Sequence, residues 1–333
     1  MIDIVVFDID GTLTDRRNGE IQTSIDDAIK QLKSHKNTII LATDRPPFEV
    51  SPEIRRRLQP DAIVYNNGKL VMDASGKVLH EDPIEEKLLS QVLDHIHALG
   101  WDTGLHLRDH TLILKGTSIQ QKIFDITEKK AKAVVAKNEN ITEPVYNIMV
   151  HVEDQTQLDE FLIAFPQMKV EAFAPHYYNL YPQGVTKASG IEIILGLKRA
   201  TWGRVMAFGD NLNDLEMLKK AYYGIVMEDG HPHLHTHKDL HLTKASGKEG
   251  IANALMKYGL IEHADHRFDW IRFKHRFMST IMRYTLPISL FLLISVIYDQ
   301  MRGSFMTSTW TNLGLGLILL ANAAWEFTRE DKH

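Results

Sequence analysis

Short apolar, β-branched runs punctuate the chain. Ile4-Val5-Val6-Phe7, Thr38-Ile39-Ile40-Leu41-Ala42 and the stretch from Asp61 to Tyr65 each have the length and composition of a strand. Between them, Ser24 to Lys33 and Ser51 to Leu58 carry apolar positions at helical spacing. Strands alternating with helices predict a parallel, doubly wound α/β sheet. The same alternation resumes from about residue 182 and runs to about 261, with Arg204-Val205-Met206-Ala207-Phe208 as its clearest strand.

The pattern changes between these two halves. Glu85 to Leu99 reads as an amphipathic helix, and Trp101 to Leu107 with Thr111 to Lys115 as a hairpin around Arg108-Asp109-His110. A helix-rich stretch is expected from Ser118 to Lys137, a strand from Tyr146 to Val152, a helix from Gln155 to Phe165 and strand material from Val170 to Tyr181. Residues 82–181 therefore form an α+β insert that splits the core into 1–81 and 182–262.

A third pattern ends the chain. Gly303 to Trp325 is a run of 23 residues without a charged side chain, long enough to cross a hydrocarbon core as helix. Tyr284 to Tyr298 is a shorter uncharged run of fifteen; it reaches spanning length if 278–283 joins it, with Arg283 snorkelling toward headgroups. These runs predict a two-helix transmembrane hairpin over 278–333, preceded by a basic linker over 263–277. Arg267, Arg272, Lys274, Arg276 and Arg283 cluster before the first span. By the positive-inside rule they place the α/β part and both termini in the cytoplasm.

Composition adds limits rather than identity. With 333 residues, two or three structural units are expected. A formal net charge of −5 gives no reason to expect nucleic acid as a partner. The absence of cysteine excludes disulfides and thiolate chemistry. The first strand starts at Ile2 and leads into Asp8, so the N-terminus is expected to belong to the fold. Five histidines between His231 and His241 have the composition of a transition-metal site, but are read as a surface connector outside the catalytic site.

Chemistry gathers where the strand-like runs end. Asp8-Ile-Asp10-Gly11-Thr12-Leu13-Thr14 follows the first, Thr43 the second, and Gly209-Asp210-Asn211-Leu212-Asn213-Asp214 the last; Lys187 joins them. Open α/β sheets place their sites at the carboxyl ends of strands. Asp8, Asp10, Asp210 and Asp214 are then expected to crowd into one pocket, where they repel one another unless a cation is present. An oxygen-only ligand set points to Mg²⁺ rather than zinc.

In these motifs, and in Thr43-Asp44-Arg45-Pro46, Asn66-Asn67-Gly68 and Tyr181-Pro182-Gln183-Gly184-Val185-Thr186-Lys187, the chain resembles the haloacid dehalogenase (HAD) superfamily, and within it the Cof-type phosphatases with a large cap. The resemblance covers residues 1 to about 261 and makes the insert the cap. It implies a Mg²⁺-dependent phosphoric monoester hydrolase acting on a small phosphorylated metabolite. Asp8 is the implied nucleophile, forming an aspartyl-phosphate; Asp10 is the general acid and base. Thr43 and Lys187 contact the phosphoryl group. Asp8, Asp210 and the Asp10 carbonyl are the implied metal ligands. Asn213 and Asp214 are expected to order Lys187 and the metal waters, and Arg45 and Asn67 to touch substrate. A phosphotransferase or mutase on the same core, or a membrane adaptor that retains the fold without activity, are the alternatives. Two positions depart from the family: Asp44 stands where Gly is usual, and Met227-Glu228-Asp229-Gly230 replaces Met-x-Asn-Ala. His106, Arg108, His110, His176 and Tyr178 are the polar candidates in the insert.

Overall fold

The computed structural model describes residues 2–115, 118–119, 121–122, 133–135 and 141–262. The basic linker and the two-span hairpin expected over 263–333 lie outside the described residues, as does most of the helix-rich stretch expected after Ser118.

Eight strands form the larger sheet. They are β1 (Ile4–Phe7), β2 (Thr38–Ala42), β3 (Ala62–Tyr65), β4 (Leu70–Asp73), β5 (Val78–Glu81), β12 (Val205–Gly209), β13 (Tyr223–Val226) and β14 (His241–Leu242), in the order β14-β13-β12-β1-β2-β3-β4-β5. Pairing is parallel from β14 to β3. The central strands are apolar throughout because helices cover both faces. Val5, Phe7, Ile39 and Leu41 pack against α1 (Ile25–Ser34), α2 (Pro52–Leu58) and α7 (Gly250–Lys257). Ile4, Val6, Ile40 and Ala207 face the other way, onto α5 (Lys187–Lys198) and α6 (Leu215–Lys220).

The sheet is not parallel to its edge. β3–β4 and β4–β5 are antiparallel, so two edge strands are added to the parallel sheet expected from the sequence. The β4–β5 turn explains the difference. The Asp73 carboxylate accepts from the Ser75 and Lys77 amides at 2.8 and 3.0 Å, and Gly76 has φ +86°. Such local turn chemistry closes a hairpin without a crossover helix.

A second sheet of six strands is built from residues between the two halves of the first. Its strands are β6 (Asp102–His106), β7 (Thr111–Lys115), β8 (Ala133–Val135), β9 (Asn147–His151), β10 (Met168–Ala174) and β11 (Tyr177–Pro182), in the order β10-β11-β9-β6-β7-β8. β8 lies inside the stretch expected to be helix-rich. One face of this sheet is apolar: Leu105, Ile148, Val150 and Leu180 pack under α3 (Glu86–Leu99) and α4 (Gln155–Ala164). The opposite face carries His106, Thr111 and Asn147, which are paired across three neighbouring strands.

Close packing holds α5 on the larger sheet. A Cβ added to Gly190 would lie 2.5 Å from Val64 Cγ1 and 3.0 Å from Gly68 Cα. Valine has no free end to swing aside, so Gly190→Ala is expected to lower unfolding stability by about 1–3 kcal/mol. An unchanged urea midpoint would show that this contact does not set the position of α5.

Candidate active site

Strand order puts the motifs side by side. β1 lies between β12 and β2, so Asp8, Asp210 and Thr43 leave neighbouring strand ends. The Asp8 amide donates to Phe208 O at 3.1 Å and so extends the ladder by one residue. The chain then turns sharply: the Thr14 amide and hydroxyl both donate to Ile9 O, each at 3.0 Å. Gly11 sits at φ +76°, and a Cβ there would lie 2.5 Å from Asp210 Oδ2, so both conformation and space demand glycine. Lys187 opens α5, whose start is fixed by a capping box between Thr186 and Ser189.

The centre is a buried charge network. Lys187 Nζ donates to Asp8 Oδ1 at 2.6 Å and to Asp214 Oδ1 at 2.7 Å, and all three residues are nearly inaccessible to solvent. Asp214 Oδ2 accepts from the Asp210 and Asn211 amides, both at 3.0 Å. Asp210 accepts from the Thr12 hydroxyl at 3.0 Å and is paired with Arg16. Burial and the neighbouring Asp214 and Asp210 push the Asp8 carboxyl well above its ordinary range, against the pull of Lys187. Burial and Asp214 raise Asp210 to about 6, opposed by Arg16. Desolvation works against the Lys187 charge, but Asp214 and Asp8 outweigh it and hold the ammonium protonated.

Asp8, Asp210 and Asp214 each offer a carboxylate oxygen, and these oxygens lie within 4.8 Å of one another. This donor set fits a hard divalent cation, which would relieve the repulsion that raises Asp8 and Asp210.

Three carboxylates converge, not four. The Asp10 side chain is half-exposed and turned to Arg45, which donates from Nε at 2.7 Å and also from Nη2. The reason is local: the turn around Gly11 ends the strand, so the alternation of an extended chain does not carry over from Asp8 to Asp10. Arg45 is thus paired with Asp10 rather than with Asp44. Thr43 is fully buried; its hydroxyl donates to Asp44 at 3.5 Å and accepts from the Arg45 amide at 3.1 Å. Burial raises the Asp44 carboxyl from its ordinary range, opposed by Lys187. The other departure also has a structural role: Asp229 accepts from the Ser246 amide and hydroxyl at 2.9 and 2.7 Å.

Asn213 Nδ2 donates to Asn67 Oδ1 at 3.1 Å, and Asn67 Nδ2 donates to Glu171 of β10 at 3.4 Å. Glu171 also accepts from the Tyr181 hydroxyl. Asn67, Asn213, Tyr181 and Lys187 border a cavity of about 360 Å³ that also meets Lys169 and Lys219. Sequence reasoning missed Thr12, Arg16, Glu171 and Tyr181. Thr12 stood inside a quoted motif, whereas Arg16 and Glu171 reach the site only through the fold. The histidine cluster does not converge: His235 Nε2 meets Met227 O at 3.2 Å, and His241 packs against Tyr223 and Tyr258. Among the described residues, Asp8, Asp210 and Asp214 are the only set of three or more carboxylates or imidazoles close enough to share an ion.

Residues 5–255 match the family model of the haloacid dehalogenase-like hydrolases, and the chain belongs to that family. YkrA of Bacillus subtilis, which carries a provisional phosphatase name, is 24% identical over 78% of this chain and 98% of its own length. The HMP-PP phosphatase of Serratia proteamaculans is 25% identical over 70% of this chain and 86% of its own. Among solved structures, a protein of Geobacillus kaustophilus HTA426 aligns with a TM-score of 0.70 at 26% identity, covering 78% of this chain and all (100%) of its own. The subclass IIB sugar phosphatase BT4131 shares the fold at a TM-score of 0.69 and 21% identity, again over 78% of this chain and 100% of its own.

The electrostatics make a pH prediction. Between 3.8 and about 6, folded Asp210 keeps a proton that the unfolded chain has released. Asp210 therefore costs the metal-free protein stability as pH rises through that window. In chelator, wild type should melt progressively lower than Asp210→Asn as pH is raised across this range, and added Mg²⁺ should close the gap. A gap that widens on acidification would contradict the assignment.

Proposed function

We propose that the chain is a Mg²⁺-dependent phosphatase that hydrolyses a small phosphorylated metabolite through an aspartyl-phosphate on Asp8. It is an enzyme of the family's phosphatase branch, in keeping with the phosphatase names of its relatives. The observation that carries the reading is the buried Lys187 ammonium held 2.6 Å from Asp8. A fixed cation beside a carboxylate at a strand end is what an incoming dianion needs.

Asp8 Oδ2 is the attacking oxygen, because Oδ1 is engaged by Lys187. Asp8 and Asp210, with the Asp10 carbonyl, would hold Mg²⁺, which would supply screening of phosphoryl charge and orientation of the ester, while Asp214, engaged by Lys187 and two backbone amides, stands beside it. Asp10, whose two oxygens both accept from Arg45 here, would have to leave that pairing and take up a proton before donating it to the leaving oxygen, and would then take one from the water that cleaves the aspartyl ester. Its pairing with Arg45 keeps the carboxylate at the open side of the site. Thr43 and Lys187 donate to phosphoryl oxygens. Asp214 positions Lys187, and Asn213 positions Asn67. The six-stranded sheet acts as the cap, with Glu171 reaching the core through Asn67.

Two measurements test this chemistry. Full-length protein should turn over p-nitrophenyl phosphate with Mg²⁺ and not with chelator, and Asp8→Asn should abolish turnover. Asp10→Asn should slow it by about 10²–10⁴-fold and leave phosphate covalently on the protein. Equal activity in wild type and Asp8→Asn would refute the role of Asp8.

We also propose that the apolar runs at 278–333 tether the enzyme to a membrane, with the catalytic part on the cytoplasmic side. The support is the uncharged stretch from Gly303 to Trp325 and the basic cluster before the first run. Full-length protein should stay with membranes through carbonate extraction; recovery in the soluble fraction would rule out an integral hairpin.

A further inference from the structure

A second cation sits on the acidic cluster, and unlike Lys187 it reaches solvent. Arg16 Nη2 is paired with Asp210 Oδ2; the arginine side chain is 48% exposed and the aspartate side chain 2%. The Thr12 hydroxyl takes the other Asp210 oxygen at 3.0 Å. Both oxygens of a carboxylate assigned to a divalent cation are thus engaged by the chain itself.

The backbone around Arg16 is held independently of this pair. The Arg16 amide donates to Ser246 Oγ at 3.2 Å, and Ser246 Oγ donates to Asp229 at 2.7 Å. Arg17 is committed to Asp15, donating from Nε at 3.1 Å and from Nη2 at 2.7 Å. A Cβ on Gly247 would lie 2.3 Å from Asp15 Oδ2 and 2.5 Å from Arg17 Nη2, so the chain at Gly247 closes over that second pair. A Cβ on Gly11 would lie 3.2 Å from Arg16 Nη2, so the glycine that lets the loop pass Asp210 also leaves room for the guanidinium. Breaking the Arg16–Asp210 contact therefore moves one side chain and leaves the loop in place.

Charge and exposure decide which cation can leave. Asp8, Asp210 and Asp214 converge on Lys187 and Arg16. Lys187 is buried between two carboxylates, and withdrawing it would strand both. The Arg16 guanidinium is already half in water and can turn outward on its flexible stem with little change in solvation. A divalent ion brings twice its charge to the same oxygens.

We infer that Arg16 is a tethered competitor for the divalent cation: its guanidinium holds Asp210 and must swing into solvent before Mg²⁺ can bind, so metal loading answers to the free Mg²⁺ concentration. The inference rests on the Mg²⁺ part of the reading above and adds a regulatory residue to it. A competitor on the same chain acts at a fixed effective concentration that dilution does not lower. By linkage, the factor by which Arg16 weakens Mg²⁺ binding is the factor by which Mg²⁺ weakens the Arg16–Asp210 pair.

The test is calorimetric titration of the full-length protein with Mg²⁺, without substrate. Arg16→Gln should bind Mg²⁺ about 10-fold more tightly than wild type. Arg16→Lys, which keeps the charge and loses the planar fork, should bind more tightly by a smaller factor, and carries the test if the glutamine variant does not fold. Melting temperatures give a second readout. In chelator Arg16→Gln should melt below wild type, because a buried carboxylate has lost its partner. In saturating Mg²⁺ that difference should close. Affinity equal to or weaker than that of wild type would overturn the inference, as would a melting deficit that persists in saturating Mg²⁺ and makes the pair structural. In those cases Mg²⁺ binding and p-nitrophenyl phosphate turnover by wild type keep the phosphatase reading intact. A wild type that binds no Mg²⁺ would remove both.

Discussion

The buried ammonium of Lys187 is the interaction on which the catalytic half of this protein depends. It lies between Asp8 and Asp214, with all three side chains withdrawn from water. Desolvating such charges is costly, and only close pairing offsets it. Removing one partner of a buried pair costs about 3–5 kcal/mol, because the others are left uncompensated. The residual imbalance is as informative as the pairing. One lysine faces two carboxylates, with Asp210 a third nearby, and the surplus shows in the raised Asp8 and Asp210. An ensemble of anions short of one cation is suited to accept a metal ion and then a phosphoryl dianion.

The scaffold holds this arrangement by covering both faces of one sheet. Phe7 and Phe208 stack at 5.2 Å on adjacent strands, immediately before Asp8 and Gly209-Asp210. Helices on either side leave the strand ends little freedom, so the core sets the backbone at Asp8 and Asp210, and contacts to Lys187, Thr12 and Arg16 set their side chains. Glycines complete the fit: Gly11 lets the first loop pass the Asp210 carboxylate, and Gly190 lets α5 sit against Val64. The second sheet divides its labour by face. Its apolar face packs under two helices. Its other face keeps unpaired hydrogen-bonding atoms at the buried His106, Thr111 and Asn147, on the side where Phe48 meets His106 and Glu171 meets Asn67.

Much of the core was legible in the chain because its signals are local. Four-residue apolar runs such as Ile4–Phe7, and the helical spacing in Ile25–Ser34, report burial directly. The β4–β5 hairpin was also encoded locally, in Asp73 to Lys77, but its strands are only four residues long and β5 is half-polar. The insert was readable as α+β because α3 is strongly amphipathic and β6–β7 flank a tight turn. Its sheet order β10-β11-β9-β6-β7-β8 was not, since nothing local dictates which strands become neighbours across long connections.

The sequence by itself determined which residue types could do chemistry: acids after two strand-like runs, a threonine after a third, a lysine to join them, and no thiol. Only the tertiary structure decided which of them meet. It joined Asp214 to Asp8 through Lys187, 27 and 179 positions apart in the chain, and turned Asp10 away to Arg45. It brought Arg16 onto Asp210 and lined up His106, Thr111 and Asn147 across three strands. The physical reason is that burial and hydrophobic period are properties of neighbours in sequence, whereas charge pairing and hydrogen-bond satisfaction depend on neighbours in space.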